Sequence, residues 1–288
     1  MGDFMQSREI GKYIFPEDIF NKDVLSNLEH VRKESVTLDE KHYFNDLLFK
    51  DALKEPLFAK GVSLYFVNQL FNGKYTLQYR KFYDRSETLD EQTMNDLNID
   101  GFVMGELHKQ RVSQIALPEG NTFNELTVYL HEFSHYLNFK ECPKMHYDNI
   151  LTEVHSIFIQ HLFKDFCERN DLFRECGDLN YIYHYNCAMS YLFRPDINLK
   201  DFIPRKEGLK IDYDVYMELI EMFLYYYGYI YSNRLYDFYL DNEKKFLKRY
   251  MGIYNGQSLD ELLEYYGINM YEHKNIEPTL KLIKELKK

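Results

Sequence analysis

Much that would narrow the function of this 288-residue chain by itself is scarce or missing. Cysteine occurs only four times, at Cys142, Cys167, Cys176 and Cys187, and never as C-x-x-C. That sets aside a disulfide framework, and reduced thiols are expected. No apolar run approaches the roughly 20 residues of a membrane span. The opening Met1–Ser7 is polar, unlike a secretory signal, and Gln6 breaks the myristoylation pattern after Gly2. A cytoplasmic location is the expectation. Positive charge is in deficit, with 35 Lys and Arg against 46 Asp and Glu, a net charge of −11. Nucleic acid and anionic membrane are therefore set aside as main partners. Repeats, low-complexity tracts and linkers are absent too. With hydrophobic residues at 45%, residues 1–288 are expected to form a single domain with a sizeable core.

What is present is His131-Glu132-Phe133-Ser134-His135, an H-E-x-x-H pattern. With 10 His and 25 Glu in the chain, a chance match is expected only about 0.03 times. Thr122 and Glu125 form a capping-box signature just before it. Leu126, Tyr129, Leu130, Phe133 and Leu137 then recur at helical spacing. On a helix, residues four apart share a face, so His131 and His135 can hold one metal ion. Glu132 lies beside them, placed to act as general base on a metal-bound water. The cofactor this implies is zinc, Zn²⁺, one ion per chain.

A catalytic zinc site usually takes three protein ligands. A second helix is expected from Asp148 onward, and Glu153 lies on its apolar face between Ile150 and Ile157. A carboxylate there needs a cation or hydrogen bonds to offset its burial. Zinc would serve, and so would a Lys or Arg; His146 is the reserve ligand. His155 and His161 fall on other faces, as packed histidines. The iron pair of a di-iron bundle also uses E-x-x-H, but needs it twice, and this chain has it once.

Residues 212–240 read as one long helix crowded with tyrosine, part of a total of 27. Aromatic residues at helical spacing usually pack a core, but buried hydroxyls need partners. One of them can donate to the oxyanion of a scissile carbonyl. The residues alone rank Tyr226, Tyr227 and Tyr229 equally for that task.

Segment 115–160 resembles the thimet oligopeptidase and oligoendopeptidase F family of zinc peptidases. Ile115 to His131 resembles the family's approach to its H-E-x-G-H helix, and Glu153-Val-His-Ser156 its E-x-x-S signature. Tyr225 to Tyr231 resembles the family's tyrosine cluster. Gly256-Gln-Ser258, Leu262-Leu263 and Gly267 to Met270 resemble its closing element. The resemblance implies a zincin-like core, Glu153 as third zinc ligand, Tyr229 as first choice for the oxyanion donor, and peptide as substrate. Four departures stand out. Ser134 replaces the family's Gly, and Gln160 replaces a Glu that orients a ligand histidine. No His precedes the tyrosine cluster, and Asn269 replaces an Asp. Two expectations follow: a zinc-dependent peptidase acting on oligopeptides, or a zinc-binding relative with little catalysis and a binding or structural role.

The expected fold is mainly α with a small β-sheet, an α+β arrangement. Residues 1–72 read as helical, with helices at 23–33, 38–53 and 57–71, the last with Gly61 as an interruption. Residues 73–120 read as a small sheet, with strands at 75–83, 101–107 and 111–117. Residues 121–288 read as a helical zinc-binding core. Arg111–Leu117 is the expected edge strand for pairing with a peptide.

Overall fold

The computed structural model describes residues 26–34, 53–90, 92–94, 100–106, 111–141, 149–192, 213–269 and 272–288. It is mainly helical with one three-stranded sheet. The helices are α1 (26–34), α2 (Pro56–Leu70), α3 (Thr76–Asp84), α4 (Phe123–Glu141), α5 (Asn149–Arg169) and α6 (Leu179–Cys187). They continue with α7 (Tyr213–Asp241), α8 (Glu243–Tyr250), α9 (Leu259–Tyr265) and α10 (Glu277–Leu286). The strands are β1 (Glu87–Thr88), β2 (Phe102–Glu106) and β3 (Arg111–Leu117).

Residues 75–83, expected as a strand, belong mostly to α3. Tyr75, Tyr79 and Phe82 are buried while Arg80, Lys81 and Asp84 are exposed, and that is a helical spacing. β-Branched and aromatic content misleads here, because the aromatic rings pack sideways onto α4. Phe133 of α4 meets Tyr79 at 4.8 Å and Phe82 at 5.5 Å between centroids. Such edge-on pairs add about 0.5–1.5 kcal/mol beyond burial. Gly61 sits inside α2 without breaking it. The helix expected at 38–53 lies almost wholly outside the described residues.

The sheet order β1-β3-β2 corrects a second expectation. β3 is the central strand, parallel to β1 and antiparallel to β2. The edge strand on the other side is β2. β3 runs into α4 through Thr122, whose hydroxyl accepts from Glu125 N at 3.1 Å. The Glu125 carboxylate reaches back to Asn121 N at 2.6 Å, one residue before the usual capping-box partner. This cap fixes where the helix starts, and so the face on which His131 and His135 stand.

α5 packs against both α4 and α7, and the core is one cluster extending from Leu28 to Leu286. Cys167, Cys176 and Cys187 are buried and outside any disulfide, and burial pushes the Cys187 thiol up to about 12. Among the described residues no helix is long and apolar enough to cross a membrane.

Between α5, α6 and α7 lies a buried polar layer. His161 and His184 sit with ring centroids 5.1 Å apart. Lys164 is nearly sealed, and its Nζ donates to Asn180 Oδ1 at 2.8 Å and Glu168 Oε2 at 3.0 Å. Burial holds both imidazoles well below their ordinary pKa, and the Lys164 ammonium adds to the effect. An unfolded chain takes up these protons near pH 6.5, and the folded one does not. The stability owed to this pair is therefore complete above that pH and falls as pH drops below it, by about 1.4 kcal/mol per pH unit for each histidine. The metal-free protein should gain stability from pH 8 to 7, where His131 is protonated only when folded, and lose it steeply between pH 6.5 and 5. A melting temperature unchanged down to pH 5.5 would rule out two neutral buried imidazoles.

Candidate metal centre

Glu125 and the apolar stripe set the register of α4, and one turn then separates His131 from His135. Their Nε2 atoms face each other at 3.0 Å. Glu153, from α5, completes the group, with Oε2 at 3.2 Å from His131 Nε2 and Oε1 at 3.3 Å from His135 Nε2. One donor atom from each of the three residues lies within 4.8 Å of the others, a group able to hold a metal ion. Glu153 Oε2 makes no well-angled hydrogen bond despite its burial. Three lone-pair atoms turned toward one point, one of them orphaned, fit a bound cation better than a hydrogen-bond network.

The far side of each imidazole is also fixed. His131 Nδ1 lies 3.3 Å from Gln160 Oε1. Gln160 Nε2 donates to Thr127 Oγ1 at 3.3 Å, and Thr127 in turn donates to Asn124 O at 2.7 Å. This chain sets the amide so that its oxygen accepts from His131 Nδ1–H. Ser156 Oγ stands 3.4 Å from His135 Nδ1, at the long end of hydrogen-bond range. Protons held at both Nδ1 atoms leave the Nε2 lone pairs free for a metal. Ser134, where the resembled family has Gly, donates to Leu130 O at 2.8 Å within α4 and leaves the helix intact.

Charge in the site is balanced by protons when no cation is bound. Burial opposes a charge on His131, but the Glu153 carboxylate at 3.2 Å, with Glu132 beyond, raises its pKa to about 9. Glu153 is correspondingly held below the usual carboxylate range, burial being outweighed by His135 and His131. Glu132 goes the other way. Burial raises its pKa, the two histidines oppose this, and Glu153 and Asp100 push it further up.

Glu132, His135 and Glu153 open onto a cleft of about 340 Å³. Gly101, Phe102 and Val103, at the start of β2, line it, as do Leu224 and Tyr225 of α7. Two glycines allow these walls to come close. A Cβ on Gly101 would lie 3.3 Å from Glu132 Cγ and 3.2 Å from Ala116 O. A Cβ on Gly228 of α7 would lie 2.9 Å from Glu153 Cβ and 2.9 Å from Ile157 Cδ1.

The structure thus brings together His131, Glu132, His135 and Glu153. It does not bring the three candidate tyrosines to them. Tyr229 is 1% exposed and hydrogen-bonded to His184 Nδ1 at 2.9 Å. Tyr226 donates to Asn27 O at 3.4 Å, on the α1 side, and Tyr227 lines a small cavity there with it. His155 is a packed histidine, 2.6 Å from the Tyr254 hydroxyl and held neutral by burial, with its pKa lowered to about 3. His161 belongs to the polar layer, and His146 lies outside the described residues, as does Asp148, the expected start of the second helix. Sequence reasoning missed Gly228, Gly101 and Tyr225 as site-forming residues. A glycine inside a tyrosine-rich helix was the available signal, since it marks close approach of another backbone.

No family model, curated protein or solved structure matches this chain.

Two variants test the centre through metal binding. Gln160→Leu removes the acceptor behind His131 and should weaken zinc affinity about 10–100-fold, measured by competition with a chromogenic chelator. Gly228→Ala should cost about 1–3 kcal/mol by overpacking and lower zinc affinity as well, because the methyl presses on Glu153. Wild-type affinity in both variants would contradict this geometry.

Proposed function

We propose that this protein is a zinc-dependent metallopeptidase that hydrolyses peptide bonds in oligopeptides. The observation that carries this reading is the placement of Glu132 in the cleft, beside the donor group but not one of its members. His131, His135 and Glu153 would hold the ion. Bound zinc would supply Lewis acidity, lowering the pKa of water and polarising a carbonyl.

The chain's own residues account for the rest. Glu132 takes a proton from the attacking water and passes it to the leaving amine. β2 is the edge strand at the cleft, so its backbone can pair with an extended peptide while Phe102 and Val103 meet side chains. The resemblance to the thimet oligopeptidase and oligoendopeptidase F family supports the same reading.

Two histidines and a carboxylate also bind non-haem iron in oxygenases. A cleft carboxylate next to the ligands has a task in hydrolysis and none in oxygen activation, so zinc is the metal proposed. A second reading is a zinc-binding protein with little turnover. It draws on the neutral Gln160 amide behind His131 and on the engagement of Tyr229 with His184.

Metal analysis of the purified protein should find one zinc per chain. A mixed peptide library should be cleaved, cleavage should stop with chelator, and zinc should restore it. Glu132→Gln should abolish hydrolysis, by about 10³-fold or more, while keeping its zinc. Full activity in that variant rules out the mechanism. Stoichiometric zinc with no cleavage of any library member selects the second reading.

A further inference from the structure

We propose that Tyr225 is the catalytic phenol of this site, donating a hydrogen bond to the substrate's carbonyl oxygen as that oxygen gains negative charge. This rests on the peptidase reading above and adds a residue to it. Tyr225 and Tyr229 stand on successive turns of α7, about 6 Å apart along the axis. Between them the helix passes from the cleft into the core. Tyr229 is already sealed, its ring parallel to His161 at 6.2 Å and its hydroxyl held by His184. Tyr225 lines the cleft with Glu132, His135 and Glu153.

Gly228 fixes how far that passage goes. Its bare backbone rests against Glu153 and Ile157, so α7 cannot slide or rotate without moving a member of the donor group. Three residues back from this contact is Tyr225, on the neighbouring turn of the same face.

Donor chemistry points the same way. An oxygen that gains charge needs hydrogen-bond donors in place beforehand. Ionised Glu132 and Glu153 can only accept. The histidine Nδ1 protons are directed to Gln160 and Ser156, away from the donor group. Among the cleft-lining side chains, Asn138, Thr152 and Tyr225 have a proton to give. Asn138 is 3% exposed and shares α4 with Glu132, and Thr152 shares α5 with Glu153. Tyr225 alone comes from α7.

The ring is also held in place. Tyr191 stacks on Tyr225 with centroids 5.2 Å apart and planes within 5°. Tyr191 comes from a π-helical turn, Ala188–Leu192, a widened geometry that recurs at functional sites. A stacked phenol loses little freedom on meeting a substrate, as a preorganised donor requires.

Tyr225→Phe removes only the hydroxyl and keeps the stacked ring, so folding should be unaffected. With zinc content matched to wild type, kcat on a fluorogenic peptide should fall about 100-fold with KM changed less than about two-fold. Affinity for a phosphinic dipeptide, whose tetrahedral oxygens mimic the charged carbonyl oxygen, should fall at least about 10-fold. Affinity for acetohydroxamate, which binds metal without that geometry, should stay the same. If wild type cleaves peptide and binds the phosphinic dipeptide, and Tyr225→Phe does both equally well, Tyr225 is excluded and the peptidase reading stands. If zinc-loaded wild type neither cleaves nor binds the phosphinic dipeptide, the peptidase reading fails and this proposal fails with it.

Discussion

The structure turns on one electrostatic constraint. A carboxylate and two imidazoles are buried together at the contact of α4 and α5, with their acceptor atoms turned inward. Taking Glu153 out of water costs several kcal/mol unless positive charge stands beside it. Without a metal, protonated histidine supplies that charge, which is why the His131 pKa rises to about 9. A divalent cation can replace that proton, and the flanking structure favours the exchange. Gln160 and Ser156 accept from the Nδ1 side of each ring, so the Nε2 side can lose its proton without the ring turning. Gly228 and Gly101 then let α7 and β2 close around the group without displacing it.

The parts of this site that were legible in the sequence are those fixed by local geometry. Four-residue spacing on a helix determines the His131–His135 pair, and a cap at Thr122 determines where the helix begins. Glu153 was legible for a different reason. A carboxylate between Ile150 and Ile157 contradicts its surroundings unless something compensates it. The mainly α architecture could be read from helical periodicity, and two of the three strands from short runs before turn signals. What failed was composition used in place of periodicity. Tyr75 to Tyr83 has strand-like residues, but its buried members recur every three or four positions, and it forms α3. The strand order could not be read from β3 itself. Its centrality depends on Glu87–Thr88, two exposed residues with no strand signature of their own.

The tyrosines show where sequence reasoning reaches its limit. On a helix with aromatic residues at 225, 226, 227, 229 and 231, most directions carry a phenol, and no internal pattern selects one. The choice is made by tertiary register, meaning which residue of α7 lies opposite Glu153. That register is set by Gly228, and its signal is the absence of a side chain. Once the contact is placed, the neighbours sort themselves. Leu224 and Tyr225 fall at the cleft, Tyr229 in the polar layer, and Tyr226 and Tyr227 toward α1.

Charge explains the residue behind His131. A glutamate there would be a better acceptor, and the resembled family has one. In this site it would add a further carboxylate to Glu132, Glu153 and the nearby Asp100, in a region largely shielded from water. Glu132 and Glu153 already suffice to balance a divalent cation, and a further carboxylate would be an uncompensated buried charge, the costliest kind. An amide provides the same oxygen in the same place without charge, and its NH₂ group is used by Thr127. Gln160 therefore orients His131 while leaving it a weaker electron donor. In the proposed peptidase that would leave a bound zinc more electrophilic and ease the demand on Glu132 to take the proton from water.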